Sequence, residues 1–77
     1  MYEEIVAILA EQLQIDPAKI APDTGIVDEL GADSLDVVEI IMALECRFGI
    51  MVPDEEIEEF RTPTDIQNRI LTKTKNK

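Results

Sequence analysis

The segment from Ser34 to Phe48 constrains the fold more than any other part of the chain, because its start, its stop and its buried side are all written in side chains. Asp33 is suited to cap the N-terminus of a helix, with Asp36 completing an acidic capping box. Gly49 stands where a left-handed C-terminal stop favours glycine. At 100° per residue, Val37, Ile41, Leu44 and Phe48 fall within about 60° of one another and form one apolar stripe. Leu35, Val38, Met42 and Cys46 gather roughly opposite, with Glu39 among them and Asp36 and Glu45 at the flanks. A helix in a small bundle needs only one buried stripe. The second is either packed beneath the long loop that precedes the helix, or it is an exposed apolar strip rimmed by carboxylates. Such a strip would dock a partner through its apolar centre, with Met42 as an adaptable contact, while the acids steer a basic rim.

The rest of the chain supplies partners for the core stripe. Glu3 to Leu13 reads as a helix whose Ile5, Ile8 and Leu9, with Val6 and Leu13 beside them, share one face, and Glu3 and Glu4 suit its positive end. Asp16-Pro17 is expected to stop it and to start a short turn. About twenty residues then run to Asp33 without helical or alternating periodicity, and loops of that length are often functional. Their Ile15, Ile20, Ile26, Val27 and Leu30 are spaced to tack the loop to a helical core, with bends at Thr24-Gly25 and Gly31. Pro53 to Phe60 reads as a short third helix. Thr62-Pro63-Thr64-Asp65 starts a last one, with Ile66, Ile70 and Leu71 facing inward, Arg69 and Lys73 near its end, and Lys75 and Lys77 expected to fray. The expected architecture is all-α: a small antiparallel four-helix bundle of three main helices and a short third, in one domain spanning 1–77.

Charge and composition narrow the function. The net charge is -10, and residues 28 to 59 hold eleven acids against one base, Arg47, while the remaining acids and bases balance. Such a field repels phosphate backbones and anionic lipid and favours basic protein surfaces. Histidine is absent, which removes the commonest general base and nitrogen ligand. Cys46 alone forms neither an internal disulfide nor a thiolate cluster, in keeping with a reducing, cytoplasmic setting. No apolar run approaches a membrane span, and the acidic N-terminus is unlike a signal peptide. Asp28 and Glu39 stand at the first and twelfth places of a calcium-loop spacing. However, Leu30 and Ala32 occupy ligand places and Asp33 the required glycine, so no specific metal site is read here. Crowding of Asp28, Glu29, Asp33 and Asp36 leaves weak divalent binding open.

Ser34 lies where the long loop meets the central helix. A serine there ordinarily caps. A phosphodiester on its oxygen, however, would meet free backbone N–H groups and the positive end of the helix dipole. With no histidine and no lysine near in sequence, Ser34 is better suited to modification by another enzyme than to acting as a nucleophile. The stretch Glu29-Leu30-Gly31-Ala32-Asp33-Ser34-Leu35-Asp36, followed by Val38-Glu39 and Met42-Ala43-Leu44-Glu45, closely resembles the acyl carrier proteins of type II fatty acid synthesis. The likeness runs on through Phe48 and Val52-Pro53-Asp54-Glu55-Glu56 to the last helix start. It implies a carrier, not an enzyme. Ser34 would bear a 4'-phosphopantetheine arm delivered from coenzyme A by a phosphopantetheinyl transferase, and the arm's thiol would hold growing fatty acyl chains as thioesters. It further implies that Asp33, Asp36, Glu39 and Glu45 meet basic patches on fatty acid synthesis enzymes and acyltransferases. Leu35, Val38 and Met42 would be apolar docking contacts, and the acyl chain would tuck near Leu44, Val52, Ile57 and Phe60. A monomer is expected.

The chain departs from that family's pattern in three places. Cys46-Arg47 stands where further acids are usual, Gly25-Ile26 replaces a Ser-Phe pairing, and Met51 takes the place of an acid. These bear on partner choice. Cys46 reads as a small packed or partly exposed hydrophobe. A carrier of another substrate, D-alanyl or polyketide, fits the same residues. So does an unmodified acidic adaptor, although it would have no use for Ser34.

Overall fold

The structure, a computed structural model, describes residues 1–75. Four α-helices and one 3-10 turn are found among them: α1 (Tyr2–Leu13), the turn Pro17–Lys19, α2 (Ser34–Phe48), α3 (Asp54–Ile57) and α4 (Pro63–Lys75). No strand is present among the described residues, and none of their helices is long and apolar enough to cross a membrane. The all-α bundle implied by the periodicity is the architecture observed. α1 packs against both α2 and α4, and α3 packs against α2.

In α1, Ile5 and Leu9 are fully buried and Ala10 nearly so, while Val6, Ile8 and Leu13 lean on the core half-buried. The helix ends at Leu13, as its periodicity implied, before Asp16-Pro17 is reached. Gln14 turns into the left-handed region at φ 56°, uncommon for a residue other than glycine, and the N–H of Ile15 returns to the Ala10 carbonyl at 3.0 Å. Asp16 instead caps the 3-10 turn, accepting from the Ala18 N–H at 2.9 Å.

α2 begins and ends as its side chains dictate. Asp33 accepts from the Asp36 N–H at 2.8 Å, Asp36 accepts from the Asp33 N–H at 3.3 Å, and Gly49 closes the helix at φ 65°. Its buried residues are Ile40, Ile41 and Leu44, with Val37 and Phe48 half-buried against the core. The buried arc is thus turned toward Ile40 relative to the expected stripe, because the helix is covered on two flanks, by α1 and by α3. α3 is shorter than Pro53 to Phe60. Glu59 and Phe60 bond three residues back, to Glu56 and Ile57, so the chain tightens and leaves the helical path before Arg61.

α4 starts at Pro63 with Thr62 as cap, its hydroxyl accepting from the Asp65 N–H at 3.1 Å. Ile66 and Ile70 are fully buried, but Leu71 is exposed, one step of rotation beyond the inner face. Each wholly buried aliphatic side chain contributes about 1.5–3 kcal/mol relative to exposure. Lys75 is still within α4; the fraying expected of Lys77 lies outside the described residues.

The long loop is ordered by backbone bonds to the far side of the bundle. Ile26 donates to the Arg61 carbonyl at 2.8 Å, and Thr64 gives both its N–H (3.1 Å) and its hydroxyl (2.8 Å) to the Pro22 carbonyl. Ile20 and Ile26 enter the core and Ile15 and Leu30 pack against it. Val27, expected to do the same, is exposed. Its neighbour Ile26 takes the inward place, and the 25–30 turn closed by Glu29 and Leu30 on the Gly25 carbonyl directs Val27 outward. Gly31, at φ 76°, brings the chain to α2.

Candidate functional site

Ser34 is the first residue of α2, and it is exposed. Residues three and four positions further along a helix share its side, so Val37 and Val38 lie directly below it. Together they form one wall of an open cavity of ≈ 800 Å³. The opposite walls come from the loop (Asp23, Gly25, Val27, Asp28, Glu29) and from the segment Ile57 to Thr62 without Glu59. The loop's bonds to Arg61 and Thr64 hold these two walls together. A hydroxyl, apolar side chains along one side and carboxylates around the rim thus line one groove.

The outer face of α2 keeps the second stripe in solvent. Leu35 is 64% exposed, Met42 61% and Val38 43%, and Cys46 is exposed as well. Packing beneath the long loop is therefore not their fate: that loop bonds to the α3–α4 connection instead. The acids around the strip differ in how free they are. Asp33 and Asp36 are joined in the capping box, and Glu39 is exposed while accepting from the Gln12 side-chain amide of α1. Glu45 is half-buried and accepts from the Val52 N–H at 2.8 Å, so it holds the α2–α3 connection. Arg47 pairs with Glu4 and ties α2 to α1.

Of the four residues expected around a carried chain, Ile57 and Phe60 line the cavity, whereas Leu44 and Val52 sit in the core cluster and not on its wall. Val37, read from sequence as core, and Val38, read as docking surface, both face the cavity. Arg61 and Thr62 line it without having been singled out. The signal for Arg61 was present: it is the sole base between Met51 and Gln67, and it follows directly on Phe60. Among the described residues no three carboxylates are arranged to hold a metal ion, so Asp28, Glu29, Asp33 and Asp36 do not form a chelate.

An exposed serine on a groove with apolar side chains is an arrangement suited to a protein that carries an attached group. Comparison with known proteins says which group. Residues 3–70 match the family described as "Phosphopantetheine attachment site". The acyl carrier protein of Helicobacter pylori (strain G27) is 50% identical over 66 residues, covering 86% of this chain and 85% of its own length. That of Thermosynechococcus vestitus is 48% identical over 71 residues, covering 92% and 88% respectively. That of Syntrophobacter fumaroxidans is 53% identical over 66 residues, covering 86% and 82%. The chain belongs to the phosphopantetheine-attachment family, among its acyl carrier proteins. It is a non-catalytic carrier of fatty acid synthesis whose prosthetic group is a covalently attached 4'-phosphopantetheine. The residues present fit such a group: the Ser34 hydroxyl is exposed, and an elongated arm finds Val37, Val38, Ile57 and Phe60 beside it.

Proposed function

We propose that Ser34 is the attachment residue, and that the protein carries growing fatty acyl chains to the enzymes of fatty acid biosynthesis as a monomeric domain of the cytoplasm. The observation that carries this reading is the placement of an exposed serine hydroxyl at the N-terminus of α2 on the lip of the cavity. The first turn of a helix presents N–H groups without intrahelical partners and the positive end of the dipole. The Asp33–Asp36 box uses some of these donors and fixes the backbone of the turn that carries Ser34. The arm supplies a thiol that bears the acyl group as a thioester. The chain's own residues do the rest. Val37, Val38, Ile57 and Phe60 offer apolar surface to the arm and to the first carbons of its cargo. Leu44 and Val52 lie in the core, where a longer acyl chain would have to part the helices to reach them.

Recognition belongs to the outer face of α2. A phosphopantetheinyl transferase and the enzymes of fatty acid synthesis are the partners such a carrier serves. Their basic docking patches would meet Asp33, Asp36 and Glu39 around Leu35, Val38 and Met42, with Glu45 adding charge while bound to Val52. The attachment is tested by incubating the protein with coenzyme A and a broad-specificity transferase and weighing the intact chain beside Ser34→Ala. The wild type gains one phosphopantetheine and the variant none. No gain on the wild type, or a gain that persists in the variant, removes Ser34 from the role.

A further inference from the structure

Lys19, Arg47, Arg61, Arg69 and Lys73 are the basic residues of the stretch 1–74. Arg47 pairs with Glu4, Arg69 with Glu59, and Lys73 with Glu56 at 2.8 Å. Among the described residues Arg61 makes no ion pair, although Asp23, Asp28, Glu29 and Glu58 line the same cavity. It is also the sole base on that cavity's wall. Its position is fixed from two directions. The backbone carbonyl accepts from the N–H of buried Ile26 at 2.8 Å, and the side-chain Nε donates to the Glu58 carbonyl at 3.1 Å. Anchoring Nε orients the guanidinium plane and leaves the two terminal nitrogens as unused donors in a planar fork, which suits a phosphate or carboxylate.

We infer that Arg61 binds an oxyanion of the loaded protein within the cavity beside Ser34, either the phosphodiester of the arm or a terminal carboxylate on the carried acyl group. The inference rests on Ser34 being the attachment residue. A negative group brought into a cavity rimmed by four carboxylates meets repulsion from each, and Arg61 is the one wall residue that offsets it. With apolar Ile57 and Phe60 beside it, Arg61 divides the cavity into a wall for hydrocarbon and a point of charge.

The test compares the wild type, Arg61→Gln and Arg69→Gln, each in the unmodified form, with the bare arm, with a malonyl group and with a butanoyl group of similar length. Intact mass establishes each state. The readouts are the Arg61 Nε–H resonance, the phosphorus resonance of the arm and the melting temperature at low and high salt. A phosphodiester contact shifts the Nε–H signal on attachment of the bare arm. Arg61→Gln then moves the phosphorus signal and lowers the melting temperature of every modified form, most at low salt. A carboxylate contact leaves the phosphorus signal in place, and shifts the Nε–H signal and makes the melting temperature sensitive to Arg61→Gln with malonyl and not with butanoyl. Arg69→Gln, which removes the same charge elsewhere, reproduces neither. A modified chain whose signals and melting temperature respond equally to both substitutions, or to neither, overturns the inference alone. Failure to modify Ser34 overturns the attachment reading, and this inference with it.

Discussion

Leu44 and Met42 stand two residues apart on α2 and are close in size and hydrophobicity, yet Leu44 is sealed in the core and Met42 keeps 61% of its surface in solvent. The same contrast separates Ile40 from Val38. Both pairs sit on one regular helix, so intrinsic preference does not distinguish them. What differs is coverage: α1 and α3 pack on one arc of α2, and Leu35, Val38 and Met42 lie outside it. Folding gains little from large apolar side chains left exposed, each forgoing about 1.5–3 kcal/mol of burial. The inner arc therefore serves stability, and the outer strip is left available for contact with another protein. The groove lies along the border between them, and Val38 belongs to both its wall and the strip.

The largest effect expected is on that contrast itself. Leu44→Ala should cost about 2–5 kcal/mol, the range for deleting a buried leucine side chain. Met42→Ala should stay within about 0.5 kcal/mol, as is usual for surface positions. Urea unfolding with an unchanged slope measures both. A comparable loss in Met42→Ala would mean that the strip is packed and would end its candidacy as a docking surface.

Most of the helical framework was legible because it is written locally. Asp33 with Asp36, Gly49, and Thr62-Pro63 mark boundaries by hydrogen bonds that close within a few residues, and the structure shows those bonds. What sequence could not reveal depends on contacts between distant segments. The burial of Ile40, the early exit of the chain after Ile57 and the outward turn of Val27 all follow from packing and from the Ile26–Arg61 bond, which spans 35 positions. The same limit applies at the site. Ser34 and the outer strip follow from helix periodicity, but the cavity has three walls from three separate segments. Arg61 and Thr62 thus reached the site only through tertiary structure. Glu45 is the instructive middle case: its place at the edge of the strip was readable, and its bond to Val52 was not.

That bond sharpens the comparison among the acids. Glu45→Ala leaves the Val52 N–H without its charged acceptor and should cost about 1–3 kcal/mol. Glu39→Ala, at an exposed position, should cost far less, as the same unfolding series measures. Equal losses would show that Glu45 is as free as Glu39. The functional ordering is the reverse. Glu39→Lys should slow reactions with partner enzymes by roughly tenfold at low ionic strength and by much less at high salt, the signature of electrostatic steering. A slowing that does not change with salt would assign Glu39 a packed contact in place of a steering charge.

The smallest effect concerns the field as a whole. With a net charge of -10, self-repulsion opposes the compact state, so screening by salt should raise the melting temperature. A gain of about 1 kcal/mol corresponds to roughly 4–8 °C in a domain of this size. Because no three described carboxylates converge on a point, magnesium or calcium compared at equal ionic strength should do no better than sodium. The repulsion is concentrated on residues 28 to 59, and within that block Glu56 and Glu59 are already paired with bases of α4. Relief should therefore come chiefly from the cavity rim and the outer face of α2, where the acids have no such partners. Replacing Asp28 by Asn should remove part of the salt response, whereas Glu59→Gln, which breaks a pair, should not. If both variants respond to salt alike, the repulsion is spread over the whole surface and the rim has no special share in it.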